Sequence, residues 1–322
     1  MSDGGFVKGI IVPGLPQPLL APEKNEGWGR IKEAFEKARQ EIAESDADVI
    51  LIYSTMWPSV IGHQIQADPA PKWVHVDELF HDLGSIPYEF KIDADFSEAY
   101  CEAAKARGLM SRTVNYHGFP IDTGSVVTLK LLNPNNEKPA CIVSTNVYSD
   151  RAETVVFAKA AQDALKAQGK KAVAVVVMTL SNRLFTEFIE PKDDHIHSTK
   201  DDEWNRKILE FLGDGRLEDV AQLSREINKQ IRISKVVNFK PMWWLSAAMG
   251  QHNRYKGCVH AYEPVYGTGS AVITLTPSED SVGDKEYDEE NVETYTGDRT
   301  VLGEPENPGN TVPKLAVSES DA

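Results

Sequence analysis

The chain has 322 residues, 41% of them hydrophobic, a formal charge of −15 and three cysteines. That length can bury a substantial core as one large α/β domain or two smaller ones. No apolar run approaches the roughly 18 residues of a membrane helix, and the opening MSDGGFVKG lacks a signal-peptide layout, so a soluble cytoplasmic protein without a membrane partner is expected.

The charge is uneven. From residue 277 onward thirteen Asp and Glu face Lys285, Arg299 and Lys314, which places −10 of the −15 in the tail and −5 in the body. That tail is poor in large apolar residues and contains Pro305, Pro308 and Pro313, so residues 277–322 are expected to form a disordered acidic tail on a single body, residues 1–276. An acidic chain without a basic, aromatic-studded face argues against nucleic acid. Cys101, Cys141 and Cys258 lie far apart with no CxxC pair and read as reduced, buried thiols.

Along the body, apolar runs and helical patterns alternate. Residues 6–12 form a short apolar run ending at Pro13, and 28–44 place Ile31, Ala34, Phe35, Ala38 and Ile42 at helical spacing. Residues 48–53 read as a buried strand and 73–76 as a shorter one. A helix is expected over 95–107, stopped by Gly108. The valine-rich runs 140–144 and 172–178 are too short for helices and suit central strands, with a helix over 152–168, ended by Gly169, between them. Helices over 201–212, 217–232 and 242–251 follow, the first two separated by the GDG turn at 213–215. Closing strands are expected over 259–262 and 270–275. The sum is a layered α/β fold, a mixed sheet flanked by helices.

Strand ends followed by Pro, Gly, Ser and aromatic residues are where such sheets build their sites. Two stand out, IIVPGLPQPLL at 10–20 and IYSTMWPSVIGHQ at 52–64. With HVDELFHDLG, YHGFPIDTGSVV, DDEWNRKILEFL and DGRLEDV, they make the chain resemble the LigB-type, class III extradiol ring-cleavage dioxygenases over about residues 8–275. In catalytic members of that family, histidines after the first and second of these strands and a late glutamate hold Fe(II), a donor set typical of oxygen-activating non-haem iron.

The resemblance places Gly14 and Met56 at the two histidine positions, and Gln17 where a further histidine is common. Asn182, in TLSNRLF, falls at the acid–base histidine. No Asp or Glu occurs between Glu226 and Glu263, where the glutamate would come from. Glycine has no donor, methionine's thioether suits Cu(I) better than Fe(II), and asparagine cannot exchange a proton near neutral pH. Gly14, Gln17, Met56 and Asn182 are therefore vestigial positions; no catalytic residue, metal ligand or cofactor is assigned to this chain.

Within the family the chain resembles α-type subunits that pair with a homologous, iron-bearing β subunit. The resemblance implies an α2β2 heterotetramer in the catabolism of aminophenols or catechol-like aromatics, with Fe(II) in the partner. Two other readings remain open from the residues. One is a metal-independent aromatic-ligand binding or sensing protein, with His63, Trp57 and His117 near the pocket. The other is a metalloenzyme rebuilt around His75, His81 and the acids Asp77, Glu78 and Asp82.

The remaining signals favour packing. His195 and His197 have ligand-like spacing but lie in the polar segment EPKDDHIHSTKDD and read as a solvated loop. His117, before a tight turn, reads as packed, and the Trp243–Trp244 pair as buried. YGTGS at 266–270 is neither a nucleophile elbow nor a phosphate loop, because a strand is expected after it.

Overall fold

A computed structural model of the chain describes residues 4–231, 238–286 and 292–296. The first third contains β1 (Gly5–Val12), α1 (Gln17–Leu20), α2 (Glu26–Glu44), β2 (Val49–Ser59), β3 (His63–Gln66), β4 (Lys72–Val76), β5 (Ser85–Glu89) and α3 (Ala94–Ala106). Next come β6 (Ser111–Val114), α4 (Thr123–Leu132), β7 (Ala140–Asn146), α5 (Arg151–Gln168) and β8 (Lys171–Val177). Helices α6 (Thr199–Gly213), α7 (Leu217–Gln230) and α8 (Lys240–Ala248) precede the hairpin of β9 (Tyr255–Val265) and β10 (Thr268–Pro277).

Eight strands form one mixed sheet in the order β6-β3-β7-β2-β8-β1-β10-β9, and β4 with β5 forms a separate ribbon. The centre is parallel: β2 pairs with β7 and β8, and β8 with β1. Strand alternation sends the central side chains to two cores. Ile11, Leu51, Tyr53, Val143 and Val176 face α3, α5, α7 and α8, whereas Ile10, Ile50, Ile52, Ile142 and Val175 face α2 and α4. Both faces of the parallel strands are thus covered, which is why these strands read as unbroken apolar runs.

The caps carry their own signals. Asn25 accepts hydrogen bonds from the Gly27 and Trp28 amides, so α2 starts two residues before the expected 28. Asp150 caps α5, and Gly169 ends it in the left-handed conformation at φ 63°. Helix α4 was absent from the sequence reading. All its residues but Lys130 are buried, so it has no polar face to set a helical period. Helix α7 stops at Gln230 and α8 at Ala248, short of the expected 232 and 251; residue 232 lies outside the described residues.

Two expectations change. Cys101 and Cys141 are buried, but Cys258 is exposed, because β9 is an edge strand. Burial pushes the Cys141 thiol up to about 12. A maleimide should therefore label a single thiol in the native chain at neutral pH, and Cys258→Ser should abolish that labelling; labelling that survives the substitution would contradict the burial.

Of the segment expected to be a disordered tail, residues 278–286 and 292–296 lie against the body. Glu286 pairs with Arg216, Glu293 bridges Lys159 and Arg107, and Tyr295 packs on the first core. Composition averages over the segment and misses these few matched groups; the rest of the tail lies outside the described residues. Among the described residues no helix is long and apolar enough to cross a membrane.

Candidate functional site

Strands β1, β8 and β2 are neighbours, and β1 and β2 both run parallel to β8, so their carboxyl ends meet at one edge of the sheet. There the ladder of β2 breaks. Ser54 lies opposite Ser144 and Pro58 opposite Thr145, which leaves Thr55, Met56 and Trp57 bulged out. The start of the bulge is pinned twice: the Thr55 hydroxyl donates to the Val177 carbonyl at 2.7 Å, and the Met56 amide donates to Ser54 Oγ at 3.2 Å. Met56 is thereby turned toward the chain leaving β1. A cleft of about 200 Å³ results, lined among others by Leu15, Thr55, Met56, Asp77, Met178 and Asn182.

At this cleft the donors needed for Fe(II) can be tested one at a time. A Cβ on Gly14 would sit 2.6 Å from Val177 Cγ1, 2.7 Å from Met56 Sδ and 2.8 Å from Gly124 Cα. No side chain fits there, because the Met56 thioether and the Val177 methyl fill the space a ligand would need. Asn182 donates its Nδ2–H to Thr179 Oγ1 at 2.9 Å. From the last third of the chain the lining receives Asn238 and Pro241, neither a carboxylate.

The carboxylate of the lining, Asp77, is committed elsewhere. It is 7% exposed; its Oδ1 accepts from the Leu79 and Phe80 amides, and its Oδ2 from the Thr123 hydroxyl at 2.7 Å. With its one proton given to Asp77, Thr123 Oγ1 accepts from His75 Nε2 at 2.6 Å, which fixes the Nε2–H tautomer. Among the described residues no three His, Cys, Asp or Glu side chains are grouped so as to hold a metal ion. The residues present do not fit Fe(II), and the rebuilt site around His75 and His81 does not form either, since His81 and Asp82 point into a different groove.

The structure brings Met56 and Asn182 together at the cleft, with Gly14 against Met56, and separates the other candidates. Gln17 is buried but lines the neighbouring groove. His63, expected near the pocket, lies in the core: β3 is two strands away from β2, and the imidazole pairs with Glu153 at 3.1 Å and stacks on Phe157 at 4.0 Å. Trp57 is half-buried against Phe119, with ring centres 5.7 Å apart, and does not line the cleft. His117 is exposed rather than packed, in the loop after β6.

His195 and His197 flank the ring of Phe185 at 4.9 and 5.2 Å, an aromatic cluster rather than a plain solvated loop. Trp243 and Trp244 are buried as expected. Tyr266 and Gly267 form a two-residue turn with φ of 50° and 87°, and β10 follows it directly. Asp77 and Asn238 were missed as lining residues. An Asp two places before Leu79 is an Asx-turn signal, and Asn238 adopts φ 55°, which asparagine tolerates better than most residues.

A family model described as the catalytic LigB subunit of aromatic ring-opening dioxygenase matches residues 12–275. The chain belongs to the LigB family. Two curated relatives from Pseudomonas sp. sharpen the placement. The 2-aminophenol 1,6-dioxygenase alpha subunit is 32% identical over 273 residues, covering 84% of this chain and 99% of that relative. The beta subunit of the same enzyme is 29% identical over 291 residues, covering 85% and 94%. Among solved structures, an uncharacterised protein of Escherichia coli K12 superposes with a TM-score of 0.58 at 11% identity, covering 84% of this chain and 99% of that one. This last likeness is one of LigB fold alone.

Proposed function

We propose that this LigB-family chain is the non-catalytic α-type subunit of an extradiol ring-cleavage dioxygenase acting on an aminophenol or catechol-like aromatic. It assembles in the cytoplasm, as an α2β2 heterotetramer, with a homologous β subunit that holds Fe(II), and stabilises it. The observation that carries the reading is the filled position at Gly14: the thioether and methyl that crowd it leave no room for the first ligand. Similarity to both the alpha and the beta subunit of one two-subunit enzyme supports it. So do Trp73, Val74 and Val76 of β4 and Leu79 just after it, large apolar side chains exposed within seven residues of the kind subunit contacts cover.

The cleft itself is small. At about 200 Å³ it falls below the roughly 300–1,000 Å³ of ordinary ligand pockets, which counts against ligand sensing in the vestigial site. Metal analysis provides the test. The chain purified alone should hold substoichiometric iron and leave 2-aminophenol uncleaved, and co-expression with an iron-bearing homologue should yield a complex with iron and activity. Stoichiometric iron and ring cleavage by the isolated chain would overturn the proposal.

A further inference from the structure

The exposed thiol of Cys258 has an imidazole beside it. We propose that Cys258 is a nucleophile that exchanges with small disulfides, with His260 taking its proton and Glu41 holding that imidazole in place. The site shares no residue with the vestigial cleft and does not rest on the subunit reading.

Three side chains form a relay. Cys258 Sγ lies 3.7 Å from His260 Nδ1 and is open to solvent, so a reagent can reach the sulfur directly. The other imidazole nitrogen, Nε2, lies 2.9 Å from Glu41 Oε1 and 3.0 Å from Thr274 Oγ1. Glu41 is ionised: burial raises its carboxyl, but the hydrogen bond and charge of Lys8 outweigh that and hold it below the usual carboxylate value. Lys8 Nζ donates to Glu41 Oε2 and to Thr276 Oγ1, both at 2.6 Å. An ionised carboxylate can only accept, so Nε2 carries the hydrogen and Nδ1 turns its lone pair to the thiol. A nucleophile, a base and a third group that orients the base is the arrangement by which weak nucleophiles are activated.

The backbone aims the base. Along the β9–β10 ladder Ala261 lies opposite Val272 and Val259 opposite Ile273, so His260 is an extra residue with no partner in β10. Such a bulge takes one side chain out of the alternation of its strand and re-aims it. Here the imidazole, 9% exposed, is brought against Glu41 of α2. The charged groups facing it are Glu41 and Lys37 from α2 and Lys8 from β1. Burial lowers His260 below the ordinary imidazole value, Glu41 opposes that, and the two lysines add to it. At neutral pH the imidazole is therefore uncharged and able to accept a proton.

In the exchange, the Cys258 proton passes to His260 Nδ1 as the sulfur attacks one sulfur of the disulfide. A new S–S bond forms and the old one breaks; the departing thiolate leaves with the electron pair and takes the proton back. Cys258 ends oxidised, as a mixed disulfide, and half of the reagent ends reduced, as a thiol. Cys101 and Cys141 are buried, so no second thiol of this chain resolves the product.

The test is the pH profile of mixed-disulfide formation on the full-length chain with oxidised glutathione, followed by intact mass. An ordinary thiol reacts about tenfold faster per pH unit up to about pH 8.5, because only the thiolate attacks. With the relay, the rate should instead rise as His260 loses its proton, below about pH 6.5, and level off through neutrality. His260→Gln should lose the level region and react at least about tenfold more slowly at about pH 7. Glu41→Gln, which no longer raises the imidazole, should move the rise to lower pH, and Cys258→Ser should carry no adduct. A parent rate that climbs about tenfold per pH unit through neutrality would overturn the proposal, as would His260→Gln reacting at the parent rate or an adduct on Cys258→Ser. The parent profile needs no variant, so it decides even if His260→Gln folds poorly. Iron content and thiol exchange are read separately, so either proposal can fail without the other.

Discussion

Gly14→His, made alone, is expected to lower the melting temperature substantially and to restore no iron. The new Cβ would meet Val177 Cγ1, Met56 Sδ and the Gly124 backbone, all under 3 Å, and a Cα cannot swing aside as the end of a side chain can. Overpacking of this kind costs about 1–3 kcal/mol and occasionally more, and the backbone contact favours the upper end. For a chain of this size the upper end corresponds to a drop on the order of 5 °C. Adding Met56→His removes the thioether but leaves the Val177 and Gly124 contacts, and the late third of the lining still lacks a carboxylate. Thermal unfolding and metal analysis of both variants check this. A single variant that melts like the parent, or a double variant that binds iron stoichiometrically, would show that the cleft is not closed in the way described.

Trp244→Ala should cost more. Trp244 is fully buried on α8, stacked on Tyr53 at 5.4 Å and edge-on to Phe6 at 6.1 Å. Its Nε1–H donates to the Tyr100 hydroxyl at 3.2 Å, which in turn donates to the Phe157 carbonyl at 2.9 Å. One indole thus joins β1, β2, α3 and α5. Truncation removes its transfer free energy, leaves a cavity and strips Tyr100 of a donor, for a total of about 3–5 kcal/mol. Denaturant unfolding at unchanged m-value is the measurement, and Trp244→Phe, which keeps a ring, should retain a good part of the stability. A loss below about 1 kcal/mol for the alanine variant would mean that the site collapses around the gap.

The central strands and long helices were legible because their burial follows a period. β8 is apolar on both faces, and α2 shows a clean stripe from Ile31 to Ile42. Where burial lost its period, the sequence fell silent: α4 is buried almost all round, and the short strands β3, β5 and β6 carry four or five residues each. The vestigial positions could be named from the family pattern, yet the reason for their emptiness could not. That Met56 fills the room beside Gly14 depends on the bulge in β2; Pro58 in STMWP is a local signal of a bulge in a central strand, but nothing in those five residues says that Met56 turns toward Gly14. His63 shows the opposite error: seven residues after Met56 in the chain, it is carried across the sheet by the order of the strands. The relay of Cys258, His260 and Glu41 joins α2 to the last hairpin, segments far apart in sequence, so no single stretch could have displayed it.

Strand order also sets a timetable for synthesis. β1 is the first strand made, yet its neighbours are residues 171–177 on one side and 273–275 on the other. Its apolar GIIV run must therefore wait, unpaired, until more than half the chain has emerged for its first neighbour, and until nearly the whole domain has emerged for its second. Pairings this distant fold slowly and leave sticky edges open meanwhile. The nascent chain is at its most aggregation-prone before β8 appears, and completion of the sheet is tied to arrival of the last hairpin.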